Sequence, residues 1–263
     1  MTRREWLRLA AMAYGASALT MTARAADNPR GSDRRRQGQS LQPTAHGLPP
    51  NRTVLDAVDH LLLGAPDLEK AMAWFADTTG VHPAIGGSHP GMGTRNALVS
   101  LGAQRYLEII APDPAQTQFN FQIDLRALTG SRLVTWAAST RDVDAVAAAA
   151  RSAGFNVFGP RDGSRARPDG STLRWRSVGV HADFRAATVD PVPFFIQWAP
   201  GSAHPSGDSP QGCTLVRLEL CHPDADRLRR ALAALGIEST VASADAAGMR
   251  AVIRTAKGEV HLE

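Results

Sequence analysis

The chain predicts an α+β fold built from tandem units of one strand, one helix and three further strands. Three observations predict it. Helix-like stripes close on glycine three times, at Thr79-Gly80-Val81, Ala153-Gly154-Phe155 and Leu235-Gly236-Ile237, a period of about 74 and then 82 residues. Each stripe follows an apolar strand-like run and precedes a new extended run, so the same unit is written three times. Units that each bury one face pack on one another, and side chains from equivalent strands then converge on a common groove.

In the first unit, Leu55 to Leu63 reads as a strand. Asp67 caps a helix whose apolar stripe is Leu68, Ala71, Met72, Phe75 and Ala76, and Gly80 ends it with a left-handed residue. A glycine-rich run, Gly86 to Asn96, leads into strands Ala97–Leu101 and Tyr106–Ala111. The second unit starts near Leu133, with Thr140 as the expected cap and Val143, Val146, Ala147 and Ala150 as the stripe. Its strands are expected at Phe155–Phe158, Leu173–Val180 and Phe194–Trp198. The third starts near Thr214, caps at Asp224, carries Leu228, Leu232 and Leu235, and is shorter. Asp, Gly, Pro and Ser crowd the seam before it.

The predicted organisation is therefore a leader over 1–25, a linker over 26–53 and two joined βαβββ modules over 54–200. A linker over 201–212 and a degenerate third module over 213–263 follow. The leader reading rests on Arg3-Arg4 with Trp6-Leu7, a mildly apolar stretch from Leu9 to Met21 too short to span a bilayer, and Ala23-Arg24-Ala25 as a cleavage site. Residues 2–8 resemble the twin-arginine export signature; an ordinary amphipathic helix is the alternative. Export implies a periplasmic or secreted protein.

The basic balance of the chain is a property of this end. Residues 1–36 hold eight Arg against Glu5, Asp27 and Asp33, a net of +5; the chain total is +4, leaving about −1 for the rest. A near-neutral body without interleaved aromatic and basic residues argues against a nucleic-acid partner. No stretch after residue 25 reads as a membrane span. Cys213 and Cys221, if on one strand, would lie about 26 Å apart at about 3.3 Å per residue, so they are expected to be free thiols.

Val58-Asp59-His60-Leu61, Pro66-Asp67-Leu68, Gly87 to Thr94, Tyr106-Leu107-Glu108-Ile109, Gly163-Ser164-Arg165 and Phe194 to Trp198 resemble the glyoxalase-like branch of the vicinal-oxygen-chelate superfamily. The resemblance implies a glyoxalase/bleomycin-resistance-like fold, a curved sheet around a groove. In metal-using members, ligands come from the first and fourth strands of each module. Those positions hold His60 and Glu108 in the first module and Gln197 in the second. A divalent ion on these three and a metal-free groove lined by a His–Glu pair both stand as expectations. Paired modules in the superfamily often assemble across subunits, which implies a homodimer.

Glu108 is conspicuous without any resemblance. It sits in an otherwise apolar run, where an isolated ionised carboxylate would cost several kcal/mol, so it needs a cation, a donor or a wet groove. Glu108 and His60 are the expected catalytic pair. His89, Thr94, Arg95 and Asn96 are expected at the mouth. The nearby glycines either present N–H groups to an anion or only satisfy turn dihedrals. Arg165, Arg174 and Arg176 are expected to grip an anion, with Gln197 orienting the substrate; a solvated hairpin paired with Asp162 and Asp169 is the alternative. The function expected is an exported isomerase or lyase acting on a small oxygenated, anionic metabolite. Ring-cleaving dioxygenase chemistry is weaker, because the second module offers no His on its first strand. A periplasmic binding or sequestering protein of the same fold is the alternative.

Overall fold

A computed structural model describes residues 51–263 except 168 and 169. The expected leader, and all of the expected linker up to residue 50, lie outside the described residues. Two-residue strand β1 (Arg52–Thr53) and a single helical turn α1 (Val54–Ala57) open the described chain. The strand expected from Leu55 therefore starts at Val58. Thr53 Oγ1 accepts from Asp56 N and turns residues 54–57 into helix before the strand begins.

The first module then runs β2 (Val58–Gly64), α2 (Leu68–Thr79), β3 (Ala84–His89), β4 (Thr94–Ser100) and β5 (Tyr106–Pro112). Asp67 caps α2 through Lys70 N, and Gly80 closes it at φ +80°. The second module runs β6 (Arg132–Ser139), α3 (Val143–Ser152), β7 (Asn156–Ala166), β8 (Thr172–His181) and β9 (Phe194–Trp198). Here the cap is Asp142, which accepts from Ala145 N, and not Thr140; Thr140 Oγ1 instead accepts from Asp142 N and holds the cap in place.

The two modules share one eight-stranded sheet in the order β3-β4-β5-β2-β6-β9-β8-β7. In each, the first strand pairs in parallel with the fourth, and β2 and β6 meet antiparallel at the seam. The sheet curls until its edge strands, β3 and β7, approach each other. One face carries Leu61, Leu63, Leu107, Ile109 and Ala138, packed with Leu68 and Phe75 of α2 and Val146 of α3 in the main core. The inner face carries Leu62, Ile110 and Val134. The connection between the modules folds over these with Ile123, Leu125 and Leu128 and fills part of the groove.

The third unit runs β10 (Thr214–His222), α4 (Ala225–Ala234), β11 (Ile237–Glu238), β12 (Val241–Ser243), β13 (Gly248–Thr255) and β14 (Gly258–Leu262). It keeps the element order, with the expected second strand divided into β11 and β12, but pairs differently, as β12-β10-β13-β14. Its first strand, β10, lies between β12, in parallel, and β13, antiparallel, so the last strand, β14, is left at an edge. Its apolar side, with Leu215, Leu220, Leu228 and Leu232, belongs to the main core. β1 pairs in parallel with β11, so residues 52–53 of the expected linker are held in a strand pair. Cys213 and Cys221 are both free, with Cys213 just ahead of β10. Among the described residues, no helix is long and apolar enough to cross a membrane.

Candidate active site

His60 and Glu108 meet on the inner face. β2 and β5 run in parallel with His60 opposite Tyr106 and Leu62 opposite Glu108, so the two functional side chains project from adjacent strands in the same direction. His60 Nε2 lies 3.6 Å from Glu108 Oε2, and the residues are 3% and 7% exposed. That separation is longer than a direct hydrogen bond and leaves room to tighten around a ligand.

Behind His60 stands Asp59, an element the sequence reading missed. A bulge in β2 pairs Val58 with Ala138 and His60 with Ala137, leaving Asp59 as the extra residue. Consecutive residues can thus serve one network: His60 Nδ1 donates to Asp59 Oδ1 at 2.8 Å, and Trp198 Nε1 donates to Oδ2 at 3.0 Å. His204 Nδ1 accepts from Ser206 N, so its proton sits on Nε2, which faces Asp59 Oδ2 at 3.3 Å. Burial works to raise the Asp59 carboxyl. Hydrogen bonds from His204 and His60, with their charge, outweigh it and hold the group at about 2, below the ordinary 3.8. An ionised Asp59 fixes the proton of His60 on Nδ1 and turns Nε2 toward Glu108.

Tyr106 stacks on His60, with ring centroids 4.5 Å apart and planes 19° from parallel, and meets His204 edge-on. Burial, and then the charges of Asp59 and Glu108, push its phenol well above the ordinary 10, so it stays a protonated donor. Phe194 closes the other side of His60, edge-on at 5.5 Å.

On the far side of Glu108, Asn96 Nδ2 donates to Oε1 at 2.8 Å and lies 3.2 Å from His89 Nε2. His89 Nε2 is 3.5 Å from Glu108 Oε1, and its Nδ1 lies 2.8 Å from Thr94 Oγ1. A consistent assignment has His89 donate from Nδ1 to Thr94 and accept at Nε2 from Asn96. His60, Glu108, His89, Thr94 and Asn96 are thus brought together. Arg165 reaches them from β7: its Nη1 lies against the same Gly86 position as Asn96 Oδ1.

Four expected residues stand elsewhere. Gln197 Oε1 accepts from Val143 N at the start of α3, because β9 turns Phe194 and Trp198 inward and Gln197 toward the helices. Arg95 pairs with Glu69 of α2, and Arg176 with Asp144 of α3, both on the helix-covered side. Arg174 is exposed; it is two residues from Arg176 and shares that side. Adjacent strand positions alternate between faces, so Asn96 and Arg95 cannot both reach the groove.

The donor set does not assemble a metal shell. Gln197 is turned away, and Asn96 already occupies Glu108 Oε1 and faces His89 Nε2. Of the three expected ligands, His60 and Glu108 keep one free donor atom each, His60 Nε2 and Glu108 Oε2, and among the described residues no three His, Cys, Asp or Glu side chains surround a common point.

Two βαβββ modules joined through their first strands around an inner cleft, with a His and a Glu on its floor, define a protein of glyoxalase type. A family model described as glyoxalase-like domain matches residues 58–236, and the chain belongs to that family. No curated protein matches it. Among solved structures, a hypothetical protein from Staphylococcus aureus is similar with a TM-score of 0.60 at 15% identity, over 76% of this chain and 92% of its own. Methylmalonyl-CoA epimerase from Mycobacterium tuberculosis is matched with a TM-score of 0.39 at 21% identity, over 59% of this chain and 95% of its own. The Streptomyces coelicolor epimerase gives 0.39 at 20%, over 54% and 96%. At 15% identity, the likeness to the Staphylococcus aureus protein bears on fold alone.

Proposed function

We propose that the chain is an exported glyoxalase-like enzyme of isomerase or lyase type that moves a proton at a carbon beside an oxygen function of a small anionic metabolite. The observation that carries the reading is the buried series Asp59, His60, Glu108 on the inner face, with Asn96 holding the second oxygen of the carboxylate. Glu108 takes the proton from carbon. Asn96 leaves Oε2 as the unengaged oxygen, and His60, locked by Asp59, faces that oxygen and can share the proton during transfer. Tyr106, held protonated, supplies a hydrogen-bond donor at the same floor. No step runs through a metal, since the donors do not fit one. Export is supported by Arg3-Arg4 and the stretch after them. It is tested by replacing both arginines with lysine and locating the protein.

The activity is tested by proton NMR in heavy water with a panel of 2-hydroxy and 2-oxo acids. The wild type is expected to bring deuterium onto the carbon beside the carbonyl or hydroxyl of at least one of them. Glu108→Gln is expected to slow that exchange by about 10²-fold or more. Binding of panel members with no exchange by the wild type would sink the enzyme reading in favour of a sequestering protein.

A further inference from the structure

A polar cleft of about 270 Å³ lies apart from the His60–Glu108 floor and is lined by Asn156, His181, Ala182, Asp183, Arg185 and Asp190. Val178 and Val180 of β8 belong to the main core, so His181 alternates onto the inner face of the second module, with Asn156 of β7 paired beside it. The loop after β8 supplies the remaining wall. Asp190 N donates to Val134 O of β6, and Arg185 Nη1 donates to Gln122 O in the connection between the modules.

Asp190 is 7% exposed, and its Oδ1 accepts from Val192 N. Its Oδ2 has no partner among the described residues, yet is not sealed from solvent. An ionised carboxylate so buried is costly unless a cation or further donors meet it. Arg185 lines the same cleft but pairs with neither Asp190 nor Asp183; among the described residues its hydrogen bond is to Gln122 O. The side-chain polar atoms of Asn156, His181 and Asp183 have no hydrogen-bond partner there either. Groups of both signs thus line one space without neutralising each other. Two carboxylates, Asp183 and Asp190, against one guanidinium leave an excess of negative charge, which disfavours a purely anionic ligand. Burial, and then Arg185, hold the His181 imidazole below the ordinary 6.5, so at neutral pH it adds no charge against a cation. The volume lies under the roughly 300 Å³ at which clefts begin to take drug-sized molecules, so the occupant is small.

We propose that this cleft binds a small α-amino acid as its zwitterion. The ammonium donates to Asp190 Oδ2, and the carboxylate accepts from the Arg185 guanidinium, both charge-assisted bonds. No residue of the His60–Glu108 floor takes part, so binding here is independent of the proposed reaction. The competing arrangement has Arg185 swing onto Asp190 and close the cleft with an internal ion pair.

Calorimetric titration of the full chain at neutral pH separates the two. Glycine and L-alanine are the probes, with their matched amines (methylamine, ethylamine) and acids (acetate, propionate) as controls. At least one amino acid is expected to bind the wild type at least about tenfold more tightly than either matched control, the scale of one bond to a charged group. Asp190→Asn should weaken that binding by about tenfold or more, with urea unfolding showing the variant no less stable than the wild type. Arg185→Met should lose the preference over the amine and keep the preference over the acid. Failure of both amino acids to bind the wild type, an amine that binds as tightly as its amino acid, or undiminished binding in Asp190→Asn overturns the proposal. Should Asp190→Asn fail to fold, Arg185→Met decides alone: a preference over the amine that survives in it overturns the proposal equally.

Discussion

Replacing Asp59 by asparagine tests whether the carboxylate behind His60 is the anchor of the inner-face network. Asp59 is 1% exposed and accepts from His60, Trp198 and His204. Its carboxyl is held at about 2 in the fold against an ordinary 3.8. The folded state thus binds the proton less tightly than the unfolded chain. A depressed acid contributes stability that is complete above the unfolded value and is lost as the pH falls through 3.8 toward 2. The gap of just under two units, at about 1.4 kcal/mol each, is about 2–3 kcal/mol. The amide introduced by Asp59→Asn would retain an acceptor for Trp198 or His204 but would turn N–H against the Nδ1–H of His60. Urea unfolding at about pH 6.5, well above both values, should show the variant less stable by roughly this amount. The deficit should shrink steadily as both proteins are compared at more acid pH. A variant as stable as the wild type near neutrality, or a deficit that stays constant on acidification, would refute the ionised anchor.

Asp190 should behave in the opposite sense. Burial raises its carboxyl to about 6, against a bond from Val192 N that lowers it, in a cleft of about 270 Å³ lined by Asn156, His181 and Arg185. Because the folded state holds that proton more tightly, stability falls as the pH rises through 3.8 to about 6. Asp190→Asn should therefore gain up to about 3 kcal/mol at neutral pH and nothing near pH 4, by the same unfolding assay. Gln197→Ala should cost about 1 kcal/mol by unbonding the first turn of α3, and should leave the rate of deuterium exchange on the acid panel unchanged by proton NMR. Loss of exchange in a variant that is still folded would return Gln197 to the site.

Much of the scaffold was legible because its signals are local. Gly80, Gly154 and Gly236 all take positive φ after a helix, and the stripes before them need no knowledge of distant partners. The pairing of the third unit was not legible. Element order is a property of the chain, whereas placing β10 between β12 and β13 depends on which edge the returning strand reaches. Nor could composition show that residues 54–57 coil before the first strand, since Val54-Leu55 reads as extended until the Thr53 hydroxyl is seen on Asp56 N.

The candidate site divides along the same line. Glu108 could be found because a carboxylate within an apolar strand demands a partner, and the two-residue alternation of β2 and β5 then joined it to His60. The same demand applies to Asp59, in Val58-Asp59-His60-Leu61, and would have found it. Alternation argued the wrong way, because a strand without a bulge sends neighbours to opposite faces. Alternation also misled at Gln197, where aligning it with Glu108 fixed a phase that β9 does not keep. Trp198 and Phe194 are the inward residues there. His204 comes from the connection after β9 and carried no signal, since nothing in Ala203-His204-Pro205 says that its ring will reach a strand 145 residues earlier. Arg174 and Arg176 were correctly placed on one face together, but the face was decided by Asp144 of α3. Arg165, at the odd position of the same hairpin, reaches the groove because the curl of the sheet brings β7 to the glycines of β3. Periodicity can therefore group residues by face. Which face becomes the site is set by closure, a contact between the two ends of the sheet that no window of sequence contains.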